Sequence, residues 1–369
     1  MQYNIKIIIF FVFVSLVSSC GQTNGVSPDL VTATQRIVLD CDTTIASDKT
    51  KAEFEALLQD GTSSTDLFTI CLNEGVEVNS GGSDHVEINN KFVQVAGYSA
   101  TTSKIHGLSF YNTDTTNMVS VYHITIVGSI SGLTSHALRI NGGGSSIIKD
   151  ANIEKTVGGM EAAVVLGHTS ASHTITGTSI VNNLASTMDT GCIDSYETTT
   201  TVDSSSCTTS GRIGISSFSQ SNSVTMTVKN STVTALEEGV QIFQQSNAGV
   251  NTYSLSGNTI TTSGCGIFLG SQANATVTGD ISDNTIRYNG DGSGMGTACG
   301  VQAVIQGNGP IVINDDSSAA GNLICKTASA TGTISSVFSQ VIQSGGSIQG
   351  TFSAATTQNG SNTNILSCP

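Results

Sequence analysis

Aliphatic residues return along this chain at a nearly fixed interval. The segments ITIVG, ANIEK, TSIVN, STVTA, NTITT and NTIRY centre on Ile126, Ile153, Ile180, Val233, Ile260 and Ile286. Successive steps are 27, 27, 53, 27 and 26 residues, so one copy near residue 207 is hidden inside the double step. A second row stands five residues earlier, at Val121, Ile148, Ile175, Val228, Leu255 and Ile281. A third stands seven residues later, at Leu133, Met160, Val240 and Ile267, each preceded by Gly. Each repeat therefore offers three short alternating stretches, which predicts three half-buried strands per repeat. Strands of this kind bury one face each when successive repeats stack as the coils of a parallel solenoid.

Turn chemistry agrees with that reading. Three residues before each anchor stand His123, Asp150, Gly177, Asn230, Gly257 and Asp283. Most are residue types that tolerate the left-handed region, which predicts a tight turn there. Asn258 and Asn284, one step on, are expected in an inward asparagine stack that satisfies the backbone at the bend. Near the N-terminus, Phe54, Leu57 and Leu58 share one face of a predicted helix over 51–59.

The short repeats, best seen in LSGNTITTSGCGIFLG at 255–270, resemble those of right-handed parallel β-helix proteins, the pectin-lyase-like superfamily. The resemblance covers roughly residues 60 to 330. It implies an all-β, right-handed parallel β-helix of about nine or ten three-strand coils, with a short helix capping the first. It leaves function open, because the same solenoid carries lyases, hydrolases, esterases, epimerases and passive surface modules. The family's catalytic signatures are not assembled here. Asn112-Thr113-Asp114 and Gly167-His168 resemble fragments of the polygalacturonase set, but no G-x-D-D lies between them and no R-I-K follows.

Composition narrows the rest. With 38% hydrophobic and only 11% charged residues the chain is not of the disordered class. Thirteen basic against twenty-seven acidic residues give a net charge of −14. Such a surface repels phosphate backbones, which argues against nucleic acid as a partner.

Residues 1–19 carry an apolar run, Ile7 to Val17, too short to span a bilayer. It reads as an export signal. Val17-Ser18-Ser19-Cys20 resembles a bacterial lipoprotein box, which implies acylation of Cys20 and attachment to the cell envelope, periplasmic or at the surface, by acyl chains. The expected organisation is a signal peptide (1–19), a tether (20–35), an N-terminal cap (36–75), a β-helix (76–340) and a closing segment (341–369). Eight further cysteines in an exported chain predict disulfides. Cys265 and Cys299 both precede a Gly-hydrophobic pair and should sit one above the other, within bonding range. Cys192 with Cys207 would close a loop, Cys41 with Cys71 would tie the cap, and Cys325 with Cys368 would pin the tail.

Candidate chemistry stands where the period breaks. Insertions after Ile180 and Ile286 leave the same turn, four coils or roughly 19 Å apart. The first insertion and its continuation carry Asp189, Asp194, Glu197 and Asp203; the second carries Asp291. Loop carboxylates of this kind bind ligands or Ca²⁺, and no other cofactor is required; solvated surface acids are the plainer reading. Near the strand ladder the acid/base combinations are Glu154 with Lys155 and Asp283 with Arg287. These are the catalytic candidates, against a default of surface charge. The expected function is binding of extracellular or envelope polysaccharide at the acidic loops. The alternatives are a lyase, hydrolase or epimerase acting on an acidic glycan, and a non-catalytic adhesion or structural protein.

Overall fold

The three apolar stretches of each repeat become three strands, and equivalent strands of successive repeats pair in parallel. The computed structural model describes residues 40–368 other than 62–66, 113–117, 131–134, 143, 158, 160, 168–170, 184–189, 247–248, 291–297, 316–321, 333–335, 343–344 and 352–366. The expected export signal, the tether and Cys20 lie outside the described residues.

Among the described residues the chain is a parallel β-helix with three sheets and one helix. Sheet A has twelve strands, running from Thr43–Ile45 to Ile348–Thr351, and sheets B and C have ten each. All pairings are parallel and step from one coil to the next. The anchor row lines the inside of sheet B, where Ile126, Ile153 and Ile180 pair in register and are 0 to 1% exposed. The hidden copy is Cys207, which stands between Ile180 and Val233 in that row. The row also extends upstream to Val78 and Ile105 and downstream to Ile324. The second row, Val121 to Ile281, lines sheet A and includes Val202 in the hidden copy.

The third row differs from the sequence expectation. Val240 and Ile267 stand in sheet C, with Ile215, Ile193, Val164 and Leu138 as their upstream partners. Leu133 and Met160, expected in that row, lie outside the described residues. The turn before sheet C is longer in these coils, so a fixed offset from the anchor fails there.

The corner between sheets A and B is held by side-chain amides. His123, Asp150, Gly177, Ser204, Asn230, Gly257 and Asp283 all take φ between 45° and 64°, the left-handed turn that the sequence predicts. One residue further on, Asn258, Asn284 and Asn322 form a buried ladder. Asn284 Oδ1 accepts from the Asn258 backbone N–H at 3.1 Å and from Asn258 Nδ2 at 2.9 Å. Asn322 Oδ1 does the same for Asn284, at 3.1 and 2.9 Å. The amide nitrogens return to backbone carbonyls, Asn258 to Val228 and Asn284 to Leu255. Upstream the ladder continues with hydroxyls: Ser231 Oγ receives the Ser205 N–H, and Ser205 Oγ receives that of Thr178. Backbone groups that the bend removes from the sheets are thereby satisfied inside the tube.

Lys51–Gly61 is helical and begins with a reciprocal capping box. Thr50 Oγ1 accepts the Glu53 N–H at 3.3 Å, and Glu53 Oε2 accepts the Thr50 N–H at 2.9 Å. Phe54 and Leu58 are buried in the same apolar cluster as the strand interiors.

The four expected cysteine pairs are at bonding distance: Cys41–Cys71, Cys192–Cys207, Cys265–Cys299 and Cys325–Cys368. Cys265 and Cys299 are register partners in sheet C, with Cα atoms 4.4 Å apart. Such pairing points to an oxidising, extracellular environment. Among the described residues no helix is long and apolar enough to cross a membrane.

Asn284 is the middle rung of the ladder, so Asn284→Ala removes an acceptor from Asn258 and a donor from Leu255. Leaving such groups buried and unpaired costs about 1–3 kcal/mol each. Urea denaturation of the variant should show a loss of at least about 2 kcal/mol; a loss below about 0.5 kcal/mol would mean that the ladder is not a structural element.

Candidate functional site

Stacking turns each outward strand position into a column of side chains running along the solenoid, one residue per coil. On sheet C two adjacent columns carry chemistry. The first reads Ser109, Arg139, Val165, Asp194, Ser216 and Gln241 in register. The second reads Asn141, Gly167, Tyr196, Phe218 and Phe243. Alternation along each strand sends both columns outward while Ile193, Ser195, Ile215 and Ser217 face the interior.

Tyr196, Phe218 and Phe243 stack as a continuous aromatic strip. Their centroids are 5.7 and 5.5 Å apart and their planes lie within 11° and 2° of parallel. Phe268 lies in the neighbouring column beside Phe243, and Gly270 makes room for both rings: a Cβ there would collide with each. At the other end the register partner of Tyr196 is Gly167. A Cβ on Gly167 would meet nothing nearer than Asn141 Oδ1 at 3.5 Å, so among the described residues this strand places no side chain over that face of the tyrosine ring. Tyr196 is 40% exposed.

Next to this ring lies a charged cluster. Glu161 bonds His136 through Oε2, at 2.7 Å from Nδ1, and Arg139 through Oε1. Ser109 Oγ stands 2.9 Å from His136 Nε2. His85 stacks on His136, with centroids 4.0 Å apart, and its Nε2 donates to the His136 carbonyl at 3.0 Å. Burial alone would raise the Glu161 pKa, but the His136 hydrogen bond and the Arg139 charge hold it below the ordinary value. Burial lowers that of His136, more than the Glu161 contact raises it. Asp194 behaves in the opposite way: burial, together with the nearby Glu161 charge, pushes its carboxyl up to about 6. Further along, burial and then Glu237 lift Glu238 to about 7, against the opposing charge of Arg212. Gln241 Nε2 donates to Glu238 Oε2 at 3.0 Å, tying this carboxylate to the first column.

The structure disperses the residues singled out from the sequence. Asp189 and Asp291 lie outside the described residues. Asp194 is on the sheet C face beside Tyr196. Glu197 is buried at the following turn, where its carboxylate receives Ser219 Oγ, the backbone N–H groups of Gln220, Ser221 and Asn222, and Asn222 Nδ2. Those bonds fasten one coil to the next. Asp203 pairs with Lys229 at 3.2 Å at the end of its sheet A strand. Glu154 and Arg287 both point outward from sheet B, five strands or roughly 24 Å apart. Asp283 belongs to the left-handed turn row. Lys155 alone of these four reaches the charged cluster: it is buried, and its Nζ donates to the backbone carbonyls of Gly159 and Glu161. It thereby fixes the segment that carries Glu161. Among the described residues no group of three or more His, Cys, Asp or Glu is arranged to hold a metal ion.

Sequence reasoning missed Ser109, His136, Glu161 and the aromatic column. The signal was the period itself: Ser109 to His136 is 27 residues and His136 to Glu161 is 25, one coil each.

The raised Asp194 pKa makes stability depend on pH. The folded chain holds this proton from the unfolded value of 3.8 up to about 6. The stabilisation it provides is therefore complete below about pH 4 and is lost as pH rises through about 6. Asp194→Asn, which cannot ionise, should gain on the wild type by an amount on the order of 1–3 kcal/mol between those limits. Denaturation curves at pH 4 and 7 give the comparison; an unchanged difference would show that Asp194 is solvated like any surface acid.

Comparison of the chain with known proteins finds no matching family model, curated protein or solved structure, so a functional reading rests on the geometry of this face.

Proposed function

We propose that this chain is an exported surface protein that binds extracellular or envelope polysaccharide along the outer face of sheet C. The observation that carries the reading is the aromatic strip Tyr196–Phe218–Phe243, bordered by Gly167 and flanked by Asp194, Glu161 and Arg139. A sugar offers an apolar ring face to an aromatic side chain and a rim of hydroxyls to carboxylates and amides. Columns repeating once per coil suit a ligand that is itself a repeating polymer. The disulfides agree with an extracellular setting. In this reading acylated Cys20 holds the protein to a bacterial envelope, the solenoid is the right-handed form of pectin-lyase-like proteins, and the helix at 51–61 seals its first coil.

A second reading, cleavage of an acidic glycan, is favoured by one observation. Asp194 keeps its proton to about pH 6 while Glu161 beside it is held ionised, and two carboxyls in unlike states are the usual arrangement for acid and base roles. Product release from a panel of uronates and neutral glycans, with and without Ca²⁺, separates this reading from binding alone.

Affinity electrophoresis through gels containing single polysaccharides tests the proposal. Retardation by at least one glycan is expected. Tyr196→Ala should weaken it by about 2- to 10-fold, the size of one aromatic contact. Thr234→Ala, on the outside of sheet B, should leave it unchanged. Retardation by none of the glycans, or equal loss in both variants, would remove the sheet C face from consideration.

A further inference from the structure

We infer that Ser109, His136 and Glu161 form a serine hydrolase relay, in which Ser109 Oγ is the nucleophile toward a small neutral carboxylic ester. The three side chains come from three successive coils. Ser109 lies on the strand Leu108–Asn112, His136 leads into Leu138–Gly142, and Glu161 leads into Val164–Gly167. Their contacts run from nucleophile to base to carboxylate, at 2.9 and 2.7 Å. Both distances are within the range that direct proton transfer and tautomer control require.

The chemistry of the carboxylate decides which way the imidazole faces. Glu161 is ionised and can only accept, so the proton on the ring sits at Nδ1. Nε2 then carries the lone pair, and Ser109 is the donor to it. That is the tautomer a general base needs. Burial favours the neutral ring at neutral pH. A buried histidine that merely needed partners could take them from backbone carbonyls; here its two nitrogens are given to a hydroxyl and an anion.

Acyl transfer at this site balances with water as the only co-reactant. Ser109 Oγ bonds to the acyl carbon as its proton passes to His136 Nε2. The ester C–O bond breaks and the leaving alcohol takes that proton. Water then attacks the acyl-serine, losing a proton to Nε2; the Ser109 Oγ–acyl bond breaks, Oγ recovers a proton from Nε2, and the carboxylic acid departs. Arg139 is the register partner of Ser109 on the adjacent strand. Its guanidinium has donors beyond the one given to Glu161, and these suit the oxyanion that forms on the acyl carbon. Glu161 acts through His136 and is a positioning residue. Ser109 and His136 are each 1% exposed, whereas Arg139 and Glu161 side chains are 20% exposed. Of the described side chains in the cluster, Arg139 and Glu161 are the ones that solvent reaches, so the acyl group assigned to the site is a small, uncharged one.

This activity goes beyond glycan binding, and small esters do not need the aromatic strip, so the two proposals fail separately. The test treats the full chain with a fluorophosphonate probe and maps the label by peptide mass spectrometry, alongside hydrolysis of p-nitrophenyl acetate. The label should fall on Ser109. Hydrolysis should drop at least about 100-fold in Ser109→Ala. Glu161→Gln should lower kcat with little change in KM and slow the labelling of Ser109. Folded wild-type protein that takes no label at Ser109, or turnover equal in Ser109→Ala, would overturn the assignment and leave the hydroxyl as a partner for a buried imidazole. Should Ser109→Ala fail to fold, the position of the label on the wild-type chain decides alone.

Discussion

Everything in this fold follows from one constraint: each coil must bring its backbone back to the same place above the last, so that every strand can hydrogen-bond its counterpart. Parallel pairing in register makes neighbours of residues about 26 or 27 apart in sequence, and the side-chain type chosen at one position is then judged by its column. Inward columns must be apolar or internally satisfied. Ile153, Ile180 and Ile260 meet the first condition, all at 1% exposure or less, and Asn258, Asn284 and Asn322 meet the second. The asparagine amide suits the corner because it presents a donor and an acceptor at once, matching the peptide groups that the bend withdraws from the sheets. A hydroxyl does this less completely, which fits its use in the earlier coils at Ser205 and Ser231.

The same constraint builds the outer face. A column on sheet C brings Tyr196, Phe218 and Phe243 into one strip without any local motif, and it sets Ser109, His136 and Glu161 side by side across three coils. Ser109, Tyr196, Phe218 and Phe243 stand on strands that are paired on both sides, and His136 and Glu161 lead into two more such strands. Glu197 adds to that support by binding the turn of the next coil with six hydrogen bonds, and Lys155 does so by anchoring the Glu161 segment. Two residues read from sequence as chemical candidates thus serve to hold the site in shape.

Much of the fold was legible because its signal repeats. The anchor row, the left-handed turn row, the paired asparagines and the cysteine register all survive averaging over copies. The failures occur where a copy departs from the average. Cys207 hid one anchor because a disulfide cysteine stands where an aliphatic residue is expected. Asn322 and Ile324 were hidden by a step of 38 residues from Ile286, lengthened both by the insertion that displaces Cys299 and by extra residues between the strands that end at Asp315 and begin at Leu323. The face of sheet C was misjudged for a related reason: the turn before it varies in length, so fixed offsets selected Leu133 and Met160 rather than Leu138 and Val164. Site residues were harder still. A search for acids and bases close in sequence finds Glu154 with Lys155 and Asp283 with Arg287, but in a solenoid the partners of a side chain lie one period away, and only an established register shows them.

That register is the claim to test most directly. Thr234 and Thr261 are outward register partners on adjacent strands of sheet B, whereas Thr234 and Arg287 are two strands apart. Adjacent strands are about 4.8 Å apart, within disulfide range, and next-nearest ones roughly 9.6 Å, outside it. Oxidation of Thr234→Cys/Thr261→Cys should yield a crosslink between these positions by non-reducing peptide mapping, and Thr234→Cys/Arg287→Cys should yield none. A crosslink in the second protein and not in the first would contradict the stacking on which the fold and the site both depend.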